Sequence, residues 1–142
     1  DAQGLRGYQA LPFTGAGAHA GRSEWRGQQS CNAFSVGIEI ANIGPLRKVG
    51  SRFYDVYGKE FDGHGGDPIK ARHRIPWVNY EYWAPYIDQE IDILFGVIGA
   101  LRHAYPIEGI AGHDEIAIPR GRKIDPGPAF DIDWLRGKMG WN

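Results

Sequence analysis

The chain has 142 residues, 42% of them hydrophobic, with five tryptophans, seven tyrosines and six phenylalanines. This is enough apolar material for one folded domain with a core, so we predict a single domain over residues 1–142. Sixteen basic and 17 acidic residues give a formal net charge of −1, which argues against nucleic acid or an anionic membrane as the main partner. No apolar run approaches the roughly 18 residues of a membrane span.

Two strands are predicted in the first 42 residues. The segment LRGYQALPF, residues 5–13, alternates weakly and carries Pro12, which is typical of an edge strand. The segment FSVGIEIAN, residues 34–42, alternates strictly, and its apolar face consists of Phe34, Val36, Ile38 and Ile40. The opposite face holds small residues around Glu39, so we expect space above that carboxylate.

The central part of the chain has no sustained period between residues 43 and 80, which predicts a long ordered loop with a short hairpin. A helix is predicted over residues 83–104, with Pro85 in its first turn and apolar residues at helical spacing. It should end before the Tyr105–Pro106 pair.

The last third of the chain contains a short apolar run at residues 107–112, which favours a buried strand, and a segment at residues 129–139 that favours a short helix. The predicted order is therefore strand, strand, helix, strand, helix. This order is typical of an α/β domain.

His113 and Asp125 are the strongest candidates for chemistry. His113 directly follows the predicted buried strand, and Asp125 closes a loop bounded by glycine and proline. Both side chains can point into one cleft, where a catalytic zinc ion takes about three protein ligands, often imidazole and carboxylate. The alternative is an ordinary histidine at a strand end and a turn aspartate before a proline.

Three further residues have both a chemical and an ordinary interpretation. Glu39 is suited to removing a proton from a metal-bound water, or it is an exposed strand residue. Lys123 is suited to stabilising an oxyanion, or it is one solvated charge in the sequence RGRK. His19 either faces a ligand from its loop or is a satisfied loop histidine.

Taken together and in order, several motifs point to a known family. The segments HAGRSEW and CNAFSVGIEIAN, a helix ending in YPI, then IAGHDEIA and GRKIDPGPAFD, resemble the zinc-dependent N-acetylmuramoyl-L-alanine amidases, and most of all their AmpD-type and phage-lysin members. These are related to peptidoglycan recognition proteins. The resemblance implies an α/β fold with a central mixed β-sheet flanked by helices and a zinc ion in a groove on one face.

The same resemblance implies an activity, a cofactor and a partner. Such enzymes hydrolyse the amide between the lactyl group of N-acetylmuramic acid and L-alanine, so the implied substrate is peptidoglycan or a muropeptide, in the bacterial cytoplasm or at the cell wall attacked by a phage lysin. It also implies roles at six positions: His113 and Asp125 as Zn²⁺ ligands, Glu39 acting on the metal-bound water, Lys123 stabilising the oxyanion, and His19 and Asn32 beside the substrate.

One departure from the family pattern concerns the first zinc ligand, a histidine on an N-terminal strand, which nothing before Leu5 matches. We therefore expect a single amidase domain that is incomplete at its N-terminus and lacks that strand. Three explanations stay open: a separate segment or chain supplies the third ligand, His64 or His19 completes the site, or the chain binds peptidoglycan without cutting it. Losing one of three ligands should weaken zinc binding severely.

Overall fold

The computed structural model describes residues 6–141. Six short strands and three α-helices follow one another along the chain: β1 (Glu24–Trp25), β2 (Gln28–Gln29), β3 (Pro45–Val49), β4 (Arg52–Tyr54), β5 (Ile69–Lys70), β6 (Tyr82–Trp83), α1 (Asp88–Ala104), α2 (His113–Ile116) and α3 (Ile132–Lys138). A short 3₁₀ turn, Cys31–Ala33, follows β2. The α/β class expected from the sequence is confirmed.

Both sheets are antiparallel. Strands β1 and β2 form a hairpin whose turn residues, Arg26 and Gly27, have φ angles of 50° and 81°, as a type I′ turn requires. The second sheet has the order β4-β3-β6-β5, and Leu46 of β3 lies opposite Tyr82 of β6. The described strands thus form two small antiparallel sheets, whereas the resemblance implied one mixed central sheet.

Helix α1 provides one wall of the main core. The backbone N–H of Ile87 donates to the carboxylate of Glu90 at 3.3 Å, which satisfies a donor at the helix start. The core cluster lies between α1 and α3 and consists of Leu94, Ile98, Phe130, Ile132 and Leu135. Asp131 starts α3 by accepting a hydrogen bond from the backbone N–H of Trp134 at 2.8 Å.

Several predicted elements differ from the structure at their boundaries. The helix predicted over residues 83–104 begins at Asp88, because Trp83 belongs to β6 and Pro85 precedes the helix. Its end at Ala104 is confirmed. The terminal helix is confirmed as α3, and the central region contains the predicted hairpin, β3–β4, together with β5.

Three predicted strands are wrong within residues 6–141. Residues 34–42 and 107–112 form no strand there, and neither do residues 6–13; Leu5 lies outside the described residues. The apolar row of the segment 34–42 stays about two-fifths exposed, at Phe34 43%, Val36 41% and Ile38 39%. The reason is that alternation selects a face, whereas a strand also needs a hydrogen-bonded neighbour.

Candidate active site

Helix α2 brings His113 and the 118–127 loop together. Its first turn is closed by the backbone N–H of Gly112, which donates to Glu115 at 2.7 Å. The backbone N–H of Asp114, two residues further on, donates to the carbonyl of Asp125 at 2.8 Å. The returning loop therefore places Asp125 Oδ2 2.9 Å from His113 Nδ1.

The two nitrogens of His113 have different surroundings. Nε2 lies 3.2 Å from the carbonyl oxygen of Ala20, which can only accept a hydrogen bond. The carboxylate of Asp125, 2.9 Å from Nδ1, also only accepts. With the proton on Nε2, the ring donates to Ala20 and presents the lone pair of Nδ1 to a cation shared with Asp125, whereas without a cation the contact with Asp125 needs a proton on Nδ1. A backbone carbonyl on the far nitrogen is also the usual support for a metal-binding histidine.

A polar cavity of about 320 Å³ collects most of the predicted site residues. It is lined by His19, Glu39, His113, Lys123 and Asp125, together with Tyr86 and others. Lys123 forms no ion pair with another residue in the described range 6–141. A carboxylate, an ammonium group and the His113–Asp125 pair thus line one space, where such groups can transfer protons and stabilise negative charge.

Asn32 lies behind His19 rather than in this cavity. Its Oδ1 accepts hydrogen bonds from the backbone N–H groups of His19, at 3.1 Å, and of Ala20, at 2.7 Å. Among the described residues, Asn32 lines neither this cavity nor the larger adjoining cavity of about 470 Å³. The contacts of Asn32 are therefore those of a residue that orients the 19–20 backbone, and its predicted role beside the substrate stays a prediction.

A larger and more apolar cavity, of about 470 Å³, adjoins the site. His19, Glu39, His113 and Asp125 line it as well, and the exposed apolar row of the segment 34–42 forms part of its wall. Other parts of the wall come from α1 and from the segment 107–112. The polar end of this cavity is the candidate site itself.

The donors that converge suit zinc in type, but they are one too few. Among residues 6–141 there is no group of three histidine, cysteine or acidic side chains placed to hold a metal. His113 and Asp125 supply two donors, whereas a catalytic zinc takes about three. His64 is exposed in a turn and, within the described range, lines neither cavity, whereas His19 lines both. Nothing among residues 6–141 supports the prediction that a separate segment or chain supplies the third zinc ligand.

Tyr86 is a cavity residue that the sequence interpretation missed. Its hydroxyl donates to the carbonyl of Pro126 at 3.1 Å. Burial raises the pKa of this phenol above its usual value, and the negative charges of Asp125, Glu90 and Glu39 raise it further. The phenol therefore stays protonated and holds the backbone directly after Asp125.

A buried ionic network supports α2 from behind. Asp114 is 3% exposed, and its Oδ2 lies 3.2 Å from Nε of Arg74 and 3.4 Å from Nε2 of His73. Burial raises the pKa of Asp114, and the positive charge of Arg74 opposes that rise. Its Oδ1 is buried without a hydrogen-bond partner among residues 6–141.

The neighbouring Glu115 is held from two sides, by Arg74 and by Arg136. Burial alone would raise the pKa of Glu115, but the hydrogen bonds from Arg136 and from the backbone of Gly112 outweigh it and lower the pKa. Because Glu115 and Asp114 follow His113 directly, this network fixes the turn on which His113 stands. The pattern HDE in the sequence is the signal that marks these residues.

Comparison with known proteins covers most of the chain. Residues 4–128, which include all six predicted site positions, match the family described as N-acetylmuramoyl-L-alanine amidase. The chain belongs to that amidase family. The resemblance drawn from the sequence motifs is thereby confirmed. No solved structure gives a significant match to this amidase-family chain.

Curated relatives of the amidase-family chain include 1,6-anhydro-N-acetylmuramyl-L-alanine amidase AmpD of Enterobacter cloacae, 32% identical over 130 residues, which are 90% of this chain and 47% of the relative. AmpD of Escherichia coli K12 is 31% identical over 133 residues, 92% of this chain and 50% of the relative. N-acetylmuramoyl-L-alanine amidase AmiD of the same strain is 30% identical over 123 residues, which are 87% of this chain and 34% of the relative. The chain spans about half the length of the AmpD relatives, or less in the case of AmiD. Within residues 6–141, no helix combines the length and apolarity needed to cross a bilayer.

Proposed function

We propose that this chain hydrolyses the amide bond between N-acetylmuramic acid and L-alanine in a muropeptide or in peptidoglycan, with zinc as its cofactor. The observation that carries the proposal is the convergence of Glu39, Lys123 and the His113–Asp125 pair on one cavity. The names of the AmpD relatives favour a 1,6-anhydro muropeptide as the substrate.

Zinc would be held by Nδ1 of His113 and the carboxylate of Asp125. A third ligand would also be needed, and it is not among the donors that converge within residues 6–141. When bound, the ion supplies Lewis acidity and a water of lowered pKa. The hydrogen bond from Nε2 of His113 to Ala20 keeps the ring oriented with Nδ1 toward Asp125. The backbone N–H of Asp114 holds the carbonyl of Asp125 against α2 through a hydrogen bond of 2.8 Å.

The residues of the chain itself would move the proton and stabilise the charge. Glu39 takes a proton from the attacking water, whose oxygen bonds to the amide carbon. The ammonium group of Lys123 stabilises the negative charge that develops on the carbonyl oxygen. Glu39 then returns the proton to the leaving nitrogen as the carbon–nitrogen bond breaks, while His19, which lines the cavity, contacts the substrate.

The decisive experiment measures zinc content and product release on the same preparations. The full chain, loaded with zinc after chelation, should release a stem peptide with a free L-alanine amino group, which mass spectrometry detects. Asp125→Ala should lose both zinc and activity, whereas the exposed Asp92→Ala on α1 should lose neither. An Asp125→Ala chain that keeps its zinc would remove Asp125 from the ligand set. Comparing 1,6-anhydro and reducing muropeptides tests the preferred substrate.

A second candidate function is a module that binds muropeptides without cutting them. The number of donors favours it, because only two of about three expected zinc ligands converge in the described part of the chain. Calorimetric titration with a muropeptide separates the two functions. Binding without zinc and without product would establish the module, and stoichiometric zinc with product release would exclude it.

A further inference from the structure

Among the described residues, His73 is a buried histidine that lines neither cavity but lies directly behind Ile124 and Trp83, which line the polar one. Its side chain is 1% exposed. Nδ1 accepts a hydrogen bond from the backbone N–H of Ile75 at 2.9 Å. The proton of the neutral ring therefore resides on Nε2, which donates to the carbonyl of Ile124 at 3.0 Å.

This one N–H lies next to both halves of the candidate site. Ile124 stands between Lys123 and Asp125, so its carbonyl anchors the backbone that carries both groups. The same Nε2 is 3.4 Å from the carboxylate of Asp114, the residue after His113. The imidazole of His73 thus contacts the sequence neighbour of each member of the His113–Asp125 pair.

The ring itself is held by the four-stranded sheet. Trp83 of β6 lies against His73 with ring centroids 5.6 Å apart, and its indole N–H donates to the carbonyl of Ala71 at 3.1 Å. Trp83 also packs directly on Gly127, where an added Cβ would lie 2.7 Å from the indole. The sheet therefore forms a rigid support that meets the 118–127 loop through His73 and Trp83.

We propose that His73 is a positioning residue of the amidase reaction: it ties the 118–127 loop to α2 and so sets the distance of Lys123 and Asp125 from His113. The proposal rests on the proposed function of those three residues. His73 touches neither substrate nor metal, and it acts through the Ile124 carbonyl. A displacement of about 1 Å in a catalytic group costs roughly a hundredfold in rate, so such a tether matters for turnover.

Two substitutions separate the tether from the other contact of the ring. Glutamine places an amide N–H about where Nε2 lies and keeps the donor to Ile124. Asparagine keeps an acceptor for the N–H of Ile75 but does not reach Ile124. Leu46→Ala, in the same sheet and buried at 1% exposure, controls for loss of stability alone.

The first readout is steady-state hydrolysis of a 1,6-anhydro muropeptide by the full chain. His73→Asn should lower kcat by about 10- to 100-fold with KM nearly unchanged. His73→Gln should recover kcat to within about threefold of wild type, and Leu46→Ala should retain it. Equal kcat in the Asn and Gln variants, measured well below their unfolding temperatures, would overturn the proposal.

The second readout needs no activity. The Asp114 amide donates to Asp125 across the tethered junction, so its hydrogen exchange should accelerate by about tenfold in His73→Asn and not in His73→Gln. Unchanged exchange in His73→Asn would refute the tether. An inactive wild-type chain would refute the proposed function instead, with the exchange result still standing. If His73→Asn does not fold, His73→Ser replaces it with the same expected outcomes.

Discussion

Gly127 is the position where the structure makes the sharpest prediction about the loop that carries Asp125. Its φ angle is +74°, and a Cβ there would lie 2.7 Å from Cζ3 and 2.8 Å from Cε3 of Trp83. Trp83 is 2% exposed and cannot move without disturbing the sheet below it. Gly127→Ala should therefore destabilise the chain through both the backbone and the packing.

The magnitude follows from two separate costs. A non-glycine residue in the left-handed region costs about 1–2 kcal/mol, and forcing a methyl group into a well-packed interior costs about 1–3 kcal/mol. The expected loss in the free energy of unfolding is then about 2–5 kcal/mol. Gly58→Ala is the matched control, because Gly58 has a φ angle of +85° and nothing within 4 Å of its added Cβ.

Urea unfolding followed by tryptophan fluorescence gives both free energies. Gly127→Ala should lose about 1–3 kcal/mol more than Gly58→Ala, since only the packing cost differs. At about 4 °C per kcal/mol for a chain of this size, its Tm should be lower than that of the control by about 4–12 °C. Equal losses in the two variants would refute the close packing of Gly127 on Trp83. Activity should also fall in Gly127→Ala, because Asp125 lies two residues away.

Three further predictions concern the cavity. Glu39→Ala should retain zinc and lose hydrolysis, because Glu39 moves the proton and binds no metal in the proposed mechanism; unchanged turnover would exclude it. Lys123→Met should lower kcat by about 10²–10³-fold with little change in KM, while the exposed Lys59→Met should change neither; a purely KM effect would assign Lys123 to substrate binding. Tyr86→Phe should alter the pH dependence of stability. Burial raises the pKa of Tyr86, so the stability that the neutral phenol contributes is fully present below the usual tyrosine pKa of about 10 and is lost as pH rises beyond it. Urea unfolding at increasing alkaline pH should show a shallower loss for Tyr86→Phe than for wild type, and parallel curves would contradict the buried phenol.

The position of Asp125 in the candidate site depends on both backbone and side-chain contacts. The His113–Asp125 pair is joined by one 2.9 Å contact, and Asp125 itself is half exposed. One hydrogen bond, from the backbone N–H of Asp114, holds the carbonyl of Asp125. The side chains of His73 and Tyr86 hold the backbone carbonyls of the residues on either side of it. A site built on a loop becomes precise only when such supporting contacts lock its backbone.

Local signals in the sequence determined a large part of this protein. The block from His113 to Phe130 marked the candidate site and the family, and Tyr105–Pro106 marked the end of α1. These features are local because capping, helix termination by proline and motif spacing depend on neighbours a few residues apart.

Only the tertiary structure decided which segments pair and which side chains are buried. The alternation in residues 34–42 predicted a strand, but in the described chain no partner strand lies beside it. His73 lies between two arginines in the sequence, yet its side chain is buried and reaches Ile124, 51 positions away. Strand pairing and burial depend on segments distant in the sequence, and their free energy comes from packing that no local pattern contains.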